Sequence, residues 1–169
     1  MTPLPEIDTV ILTGVAGSGK STVGRALADQ LGWRFRDADD LHDAASVGRM
    51  ARNEPLDDED RAPWLGRIRR VIEDMKGMNT PVVIACSALK GRYRQVLAEG
   101  LTGIRFVFLT GDPALLRDRL ARRADHFAGP LLLESQLADL EPPDDALHVD
   151  VSLPVEAIVD RIRTDLDRS

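Results

Sequence analysis

Cysteine is almost missing from this sequence of 169 residues: Cys86 stands alone. A disulfide within the chain is excluded, and so is a zinc cluster built on cysteines. A reducing compartment is expected. No apolar run reaches the ~20 residues of a membrane-spanning helix. The stretch Met1-Thr2-Pro3-Leu4-Pro5-Glu6 lacks the basic start and long apolar centre of a secretion signal. The expectation is a soluble, cytoplasmic protein with no membrane partner. Positive charge is not in excess either. Lys and Arg number 22 against 28 Asp and Glu, a formal net charge of −6. That argues against a broad nucleic-acid surface and leaves the basic residues for local work on phosphates or carboxylates. Repeats, low-complexity tracts and long linkers are also lacking, so one domain over residues 1–169 with a single substantial core is expected.

What is present is alternation. Short apolar strand patterns fall at Thr9–Thr13, Arg34–Asp37, 81–86, Ile104–Thr110 and 148–151. Helical spacing fills the intervals. Val23, Ala26, Leu27 and Leu31 mark the first helix and Gly32 closes it. A weaker helix is expected over 41–52. Acidic residues 57–60 open a long one whose apolar face is Trp64, Leu65, Ile68, Val71, Ile72 and Met75. Further helices are expected over 89–99, from Pro113 to about Arg123, over 131–140, and at the C-terminus through Val155, Ile158, Val159, Ile162 and Leu166. Strands alternating with helices give an α/β fold, a parallel sheet covered on both faces. Ligands of such folds bind beyond the carboxyl ends of the strands.

After the first strand comes Gly14-Val15-Ala16-Gly17-Ser18-Gly19-Lys20-Ser21-Thr22. It matches the phosphate-loop pattern G-x-x-x-x-G-K-[ST] without deviation. Glycines let the backbone turn at positive φ and approach a phosphate closely. Successive N–H groups then face an anion at a helix N-terminus. Lys20 would reach the β- and γ-phosphates of ATP, and Ser21 would bind Mg²⁺. The apolar strand before the loop and the amphipathic helix after it separate this from a simple glycine turn.

Other residues narrow the loop's use. The chain has no Asn-Lys-x-Asp to read guanine, and the strand at 82–85 ends in Cys86-Ser87-Ala88 rather than paired acids. Those absences favour phosphoryl transfer to a small molecule over a switch or a motor. The second strand ends in Asp37-Ala38-Asp39. If the strand continues, both carboxylates share one side, above the loop. One would serve Mg²⁺ and the other accept a hydroxyl proton; a solvated acidic turn is an equal reading. Arg119 and Arg123, at i and i+4, would share a helix face and reach phosphate, or form exposed charge pairs.

The chain resembles the gluconate kinases, relatives of shikimate and nucleoside monophosphate kinases. The phosphate loop is generic. The specific segments are Phe35-Arg36-Asp37-Ala38-Asp39-Asp40-Leu41-His42, then Pro55 to Leu65 with Arg61 and Trp64, then Cys86-Ser87-Ala88-Leu89-Lys90-Gly91-Arg92-Tyr93-Arg94, and finally His126-Phe127, Ser135-Gln136 and Leu140-Glu141-Pro142. The resemblance implies the P-loop kinase fold: five parallel strands in order 2-3-1-4-5, a lid at about 122–135, and often a homodimer. It implies ATP- and Mg²⁺-dependent phosphorylation of gluconate at its 6-hydroxyl. Lys20, Asp39 and Arg123 would be catalytic, with Asp39 the base, Ser21 and Asp37 at the metal, and Arg119 at the nucleotide. Asp39, His42, Arg61, Lys90, Arg94 and His126 would line the sugar-acid pocket. A guanidinium such as Arg61 or Arg94 can hold a carboxylate by two parallel hydrogen bonds. Bland alternatives remain for each: His42 as a helix start, Arg61 paired with Asp57 or Asp58, Arg94 with nearby acids. Trp64 reads as core and Cys86 as a buried small residue. The chain departs from the family pattern at Ala38, Asp43, Ser46, Arg49, Asn53 and Asp125. A kinase of another sugar acid or polyol, or a nucleotide-binding regulator without turnover, are the other readings.

Overall fold

A computed structural model of the chain describes residues 3–123 and 130–169. The elements run β1 (Thr9–Thr13), α1 (Lys20–Leu31), β2 (Arg34–Asp37), a 3₁₀ turn (Ala38–Leu41), α2 (Ala44–Ala51), α3 (Asp58–Gly77), β3 (Val82–Ala85), α4 (Gly91–Ala98), β4 (Ile104–Thr110), α5 (Pro113–Ala121), α6 (Pro130–Asp139), β5 (Leu147–Asp150) and α7 (Val155–Leu166). The sheet is parallel throughout, in the order β2-β3-β1-β4-β5. This is the order the family resemblance implied.

The central strand β1 is buried along its whole length, and its alternation divides the core. Val10 and Leu12 point to one face, where they meet Val83, Val107 and Val149, helices α1 and α7, and Leu133 of α6. Ile11 points to the other, with Ile84 and the α3 residues Trp64, Leu65, Ile68 and Ile72. Each such aliphatic side chain contributes roughly 1.5–3 kcal/mol when fully buried. Strands covered on both faces need no alternating pattern, which is why β1 and β3 are continuous apolar runs.

Register decides where the chemistry falls. Leu12 lies opposite Ala85, and Ala85 opposite Asp37. The carboxyl ends of β1, β3 and β2 therefore lie level, and the loops that leave them share one space.

Several expected boundaries move, each for a local reason. The helix expected over 41–52 begins only at Ala44, because Asp43 caps it by accepting from the Ser46 amide at 2.7 Å. Residues 38–41 tighten into the 3₁₀ turn, so Asp39 is not on β2. The helix expected from residue 89 starts after Lys90, and α5 stops at Ala121, so Arg123 does not share a helix face with Arg119. α3 opens as the acidic run suggested, with a reciprocal capping box between Asp57 and Asp60. Asp125, His126 and the middle of the expected lid at 122–135 lie outside the described residues.

Candidate active site

The loop between β1 and α1 takes the shape its glycines permit. Gly14 has φ 149°, and a Cβ there would lie 2.8 Å from the Leu109 carbonyl oxygen. Gly19, the N-cap of α1, has φ 91° in the left-handed region. Ser18 is only 1% exposed, and its Oγ has no hydrogen-bond partner among the described residues. An orphaned buried hydroxyl inside a nest of amides fits a site made for a strongly accepting ligand. The Lys20 ammonium donates to the Val15 carbonyl at 3.1 Å, folded across the loop. The Ala16 amide donates to Oε1 of Gln136 at 2.6 Å. Thr22 follows in the first turn of α1, exposed to solvent.

Asp37 joins this loop to the end of β2. Its Oδ2 accepts from Ser21 Oγ at 2.6 Å and its Oδ1 from the Asp39 amide at 3.0 Å. The two carboxylates thus meet through a turn, and not by sharing the side of a strand. Asp39 is exposed to solvent, yet protein atoms crowd its carboxylate enough to desolvate it in part. Desolvation and then the neighbouring Asp37 raise its pKa, while Lys20 opposes the rise. Burial lowers the pKa of Lys20, and Asp39, Cys86 and Asp37 work against that lowering. Arg123 adds to it, so this arginine lies within electrostatic reach of Lys20. Arg119 points elsewhere, donating to the Val151 carbonyl at 2.5 Å just beyond β5. Cys86 is buried beside the loop and its thiol is pushed up to about 12, so it is no nucleophile near neutrality.

Across the cleft the expected sugar-acid residues come from three elements. His42 stacks on Trp64, centroids 4.4 Å apart and planes 9° apart. The Trp64 indole N–H in turn donates to the Ala38 carbonyl at 2.7 Å, so Trp64 is core and also a support for the imidazole. Burial, then Arg67 and Arg61, lower the His42 pKa to about 4. The ring is neutral, and its Nδ1 is buried without a partner among the described residues. Arg61 donates to the Tyr93 hydroxyl at 3.1 Å and pairs with Asp139 at 3.5 Å, not with Asp57 or Asp58. Lys90 pairs with Asp58 at 3.2 Å, and Arg92 and Tyr93 bond the same carboxylate. Arg61, Lys90 and Arg92 each lie 5.7 Å from the Tyr93 ring centroid.

Arg94 is used differently from the sequence expectation. It donates to the carbonyls of Ala88 (2.9 Å), Leu89 (3.1 Å) and Glu141 (2.8 Å), so it braces backbone rather than presenting a free fork to a carboxylate.

Gln136, Tyr93 and Asp58 stand in segments that carry the resemblance, which gives them no role in the site, and Asp139 is not expected there at all. For Gln136 a signal existed: Leu133 and Leu140 lie three and four positions away on the same helical stripe, so a polar residue sits on an inward face. Asp58, Tyr93 and Asp139 meet partners 32 or more positions away in the chain, which no local pattern records.

The departures from the family pattern have structural uses. Asp43 and Ser46 form the α2 cap. Arg49 pairs with Asp60 at 2.8 Å and donates to the Pro55 carbonyl at 3.0 Å, fastening α2 to the start of α3. Asn53 has φ 57°, a left-handed conformation that asparagine tolerates where glycine would be at ease. Ala38 is fully buried under Trp64.

The shikimate kinase family model matches residues 16–142. The thermosensitive gluconokinase of Escherichia coli (strain K12) is 37% identical over 160 residues, spanning 92% of this chain and 86% of that one. Among solved structures, an unliganded sugar kinase from Janibacter sp. HTCC2649 superposes with a TM-score of 0.89 at 38% identity, covering 95% of each chain. A gluconokinase from Sinorhizobium meliloti 1021 does so at 0.84 and 38% identity, over 97% of this chain and 94% of that one. The chain belongs to the gluconokinase family within the shikimate kinase group.

Proposed function

We propose that this protein transfers the γ-phosphoryl group of ATP to the 6-hydroxyl of D-gluconate, giving 6-phosphogluconate and ADP. The observation that carries the reading is that the level ends of β1, β3 and β2 bring two unlike sets of side chains to one end of the sheet, linked where the His42 amide donates to the Asp39 carbonyl. A phosphate loop and two carboxylates form one set. Arg61, Lys90 and the neutral His42 form the other. Gluconate presents the matching chemistry, a carboxylate for the cations and hydroxyls for the imidazole and Asp39. Of the residues by which the chain departs from the family pattern, Asp43 and Ser46 are engaged in the α2 cap and Arg49 in a strut to α3.

Lys20 leaves the Val15 carbonyl to neutralise the β- and γ-phosphates, and loop amides other than those bonded within the protein, as Ala16 is to Gln136, hold them. Asp39 orients the 6-hydroxyl and takes its proton; a raised pKa brings a carboxylate closer to the strength a general base needs. Arg123 supplies a second positive charge to the transferring group. Arg119, at the Val151 carbonyl, holds the adenosine side. Arg61 and Lys90 take the gluconate carboxylate, and His42 reads hydroxyls. His126 is proposed there on resemblance alone. Mg²⁺ fits Ser21 Oγ and Asp37 Oδ2, hard oxygen atoms 2.6 Å apart. No cluster of three or more His, Cys, Asp or Glu that could cage a metal occurs among the described residues, as suits an ion held largely by phosphates and water. When bound, the ion neutralises phosphate charge.

We further infer one catalytic domain acting in the cytoplasm as a homodimer on a small-molecule substrate, without nucleic-acid or membrane partners. The single buried thiol and the lack of any long apolar helix among the described residues support the location. Light scattering on a sizing column tests the dimer.

The test of function is ADP release with D-gluconate beside shikimate, nucleoside monophosphates and other sugar acids. Gluconate should give the highest kcat/KM. Turnover of another acceptor with none for gluconate would replace the substrate; ATP binding without any turnover would favour a regulator. Lys20→Ala should lower kcat by ~10²–10³-fold with the fold intact. Activity within a few-fold of wild type would remove Lys20 from the transfer step.

A further inference from the structure

The phosphate loop is held by a residue from far along the chain. Oε1 of Gln136, in α6, accepts from the Ala16 amide at 2.6 Å, across 120 positions of sequence. A phosphate loop gathers backbone donors toward one point, and a donor left without an acceptor is costly once water is excluded. Ala16 sits in the middle of that loop. Gln136 is itself half-buried, and its Nε2 has no hydrogen bond among the described residues.

α6 is not free to withdraw the side chain. Leu133 is fully buried in the core shared with Val15, Leu116 and Leu120. Glu134 pairs with Arg117 of α5 at 2.7 Å, and Asp139 with Arg61 of α3 at 3.5 Å. Just beyond the helix, the Glu141 amide donates to the Leu89 carbonyl, and its carboxylate accepts from the Gly91 amide, both at 2.8 Å. Contacts on both sides of Gln136 therefore fix the carboxamide against the loop.

The chemistry of the side chain matters as much as its place. A carboxylate would satisfy the same amide, but it would put negative charge inside a site for polyphosphate. A carboxamide accepts the hydrogen bond and stays neutral at every working pH. We propose that Gln136 is a positioning residue of the phosphate loop: it holds the Ala16 amide from α6 with a neutral acceptor, and so keeps the loop shaped for a triphosphate. This rests on the reading of the loop as the nucleotide site and is independent of which sugar acid is phosphorylated.

Binding of a non-hydrolysable ATP analogue with Mg²⁺, measured by calorimetry on wild type, Gln136→Leu and Gln136→Glu, tests it. Gln136→Leu keeps the bulk and loses the acceptor; its Kd should rise roughly tenfold, the same at every pH. Gln136→Glu keeps the acceptor and adds charge. At about pH 8 its Kd should rise by more than that of the Leu variant. Its deficit relative to wild type at the same pH should shrink toward about pH 5, as the carboxyl protonates and becomes a neutral isostere. Cooperative thermal unfolding checks each fold. Should the Leu variant not fold, the pH signature of the Glu variant decides alone. Binding by Gln136→Leu within twofold of wild type overturns the proposal. Tighter binding overturns it as well, making Gln136 a plug, and equal pH-independent deficits in both variants overturn it in favour of simple packing. Failure of wild type to bind the analogue would instead remove the nucleotide reading itself.

Discussion

Asp39 carries a conflict that a substitution can expose. Its carboxylate is crowded by protein and by Asp37, so its ionised form is disfavoured in the folded protein, and only Lys20 relieves it. A raised carboxyl pKa means that the folded state holds its proton more tightly than the unfolded chain. Above the folded pKa the ionised group then subtracts from stability. Asp39→Asn removes that charge at nearly constant shape. Stability at neutral pH should rise, read as a higher midpoint in thermal or urea unfolding, while kcat falls by ~10²–10⁴-fold, the usual worth of a general base. Nucleotide affinity should change little. An equal loss in nucleotide affinity would move Asp39 from the hydroxyl to the metal. The turn that places Lys20 and Ser21 at the start of α1 could be read from local pattern, since its glycines announce the positive φ they adopt. Arg94 could not: its acceptors are backbone carbonyls at Ala88, Leu89 and Glu141, and carbonyls have no signature in sequence.

Among the elements, the connection from β3 to α4 depends most on such a contact. Ala88 has φ 38°, where a Cβ is strained, and the residue is almost fully buried. Arg94, one turn into α4, holds this corner from the inside through two carbonyls of the turn and ties it to the chain after α6 through a third. An ammonium cannot span three fixed acceptors as a planar guanidinium does. Arg94→Lys should therefore cost ~1–3 kcal/mol of unfolding free energy in urea, from carbonyls left unpaired. Glycine at position 88 should restore part of it by removing the strain. If Arg94→Lys leaves stability unchanged but raises KM for gluconate tenfold or more, the arginine belongs to the substrate after all. The same contrast explains which boundaries were legible. β1 and β3 are buried on both faces, so hydrophobicity alone announces them. The start of α2 was set by one side chain, Asp43, reaching the Ser46 amide, and the bend at Asp37 by another reaching the Asp39 amide. Periodicity records faces, and it does not record where a single side chain closes a turn.

At the scale of the molecule, the level carboxyl ends of β2, β3 and β1 gather several ionisable groups into one cleft, and folding stability inherits their titration. The order of the sheet was available from resemblance and the alternation of elements from the sequence. The electrostatic consequence was not, because it depends on which groups the register brings together. His42 is the group whose effect falls in the most accessible range. Packed on Trp64 and flanked by Arg67 and Arg61, its imidazole has a pKa of about 4 against 6.5 for an exposed histidine. Between those values the unfolded chain binds a proton that the folded protein refuses, so stability rises with pH through that window. The contribution is complete above 6.5 and is lost as pH falls toward 4. Solvent reaches part of the ring, which limits the loss to about 1 kcal/mol. Asp43, Asp58 and Asp60, whose pKa values are lowered by hydrogen bonds, add their own loss at lower pH, below 3.8. Asp39 acts with the opposite sign, since its pKa is raised. Urea unfolding of wild type and His42→Gln from about pH 7 to 4.5 separates these terms. The variant loses the stack on Trp64 and should be less stable at neutral pH. Its deficit should shrink as pH falls, because only wild type has a buried imidazole to protonate. Parallel curves across that range would mean that His42 meets the proton equally well folded and unfolded, and that neither burial nor the two arginines disfavour its charged form.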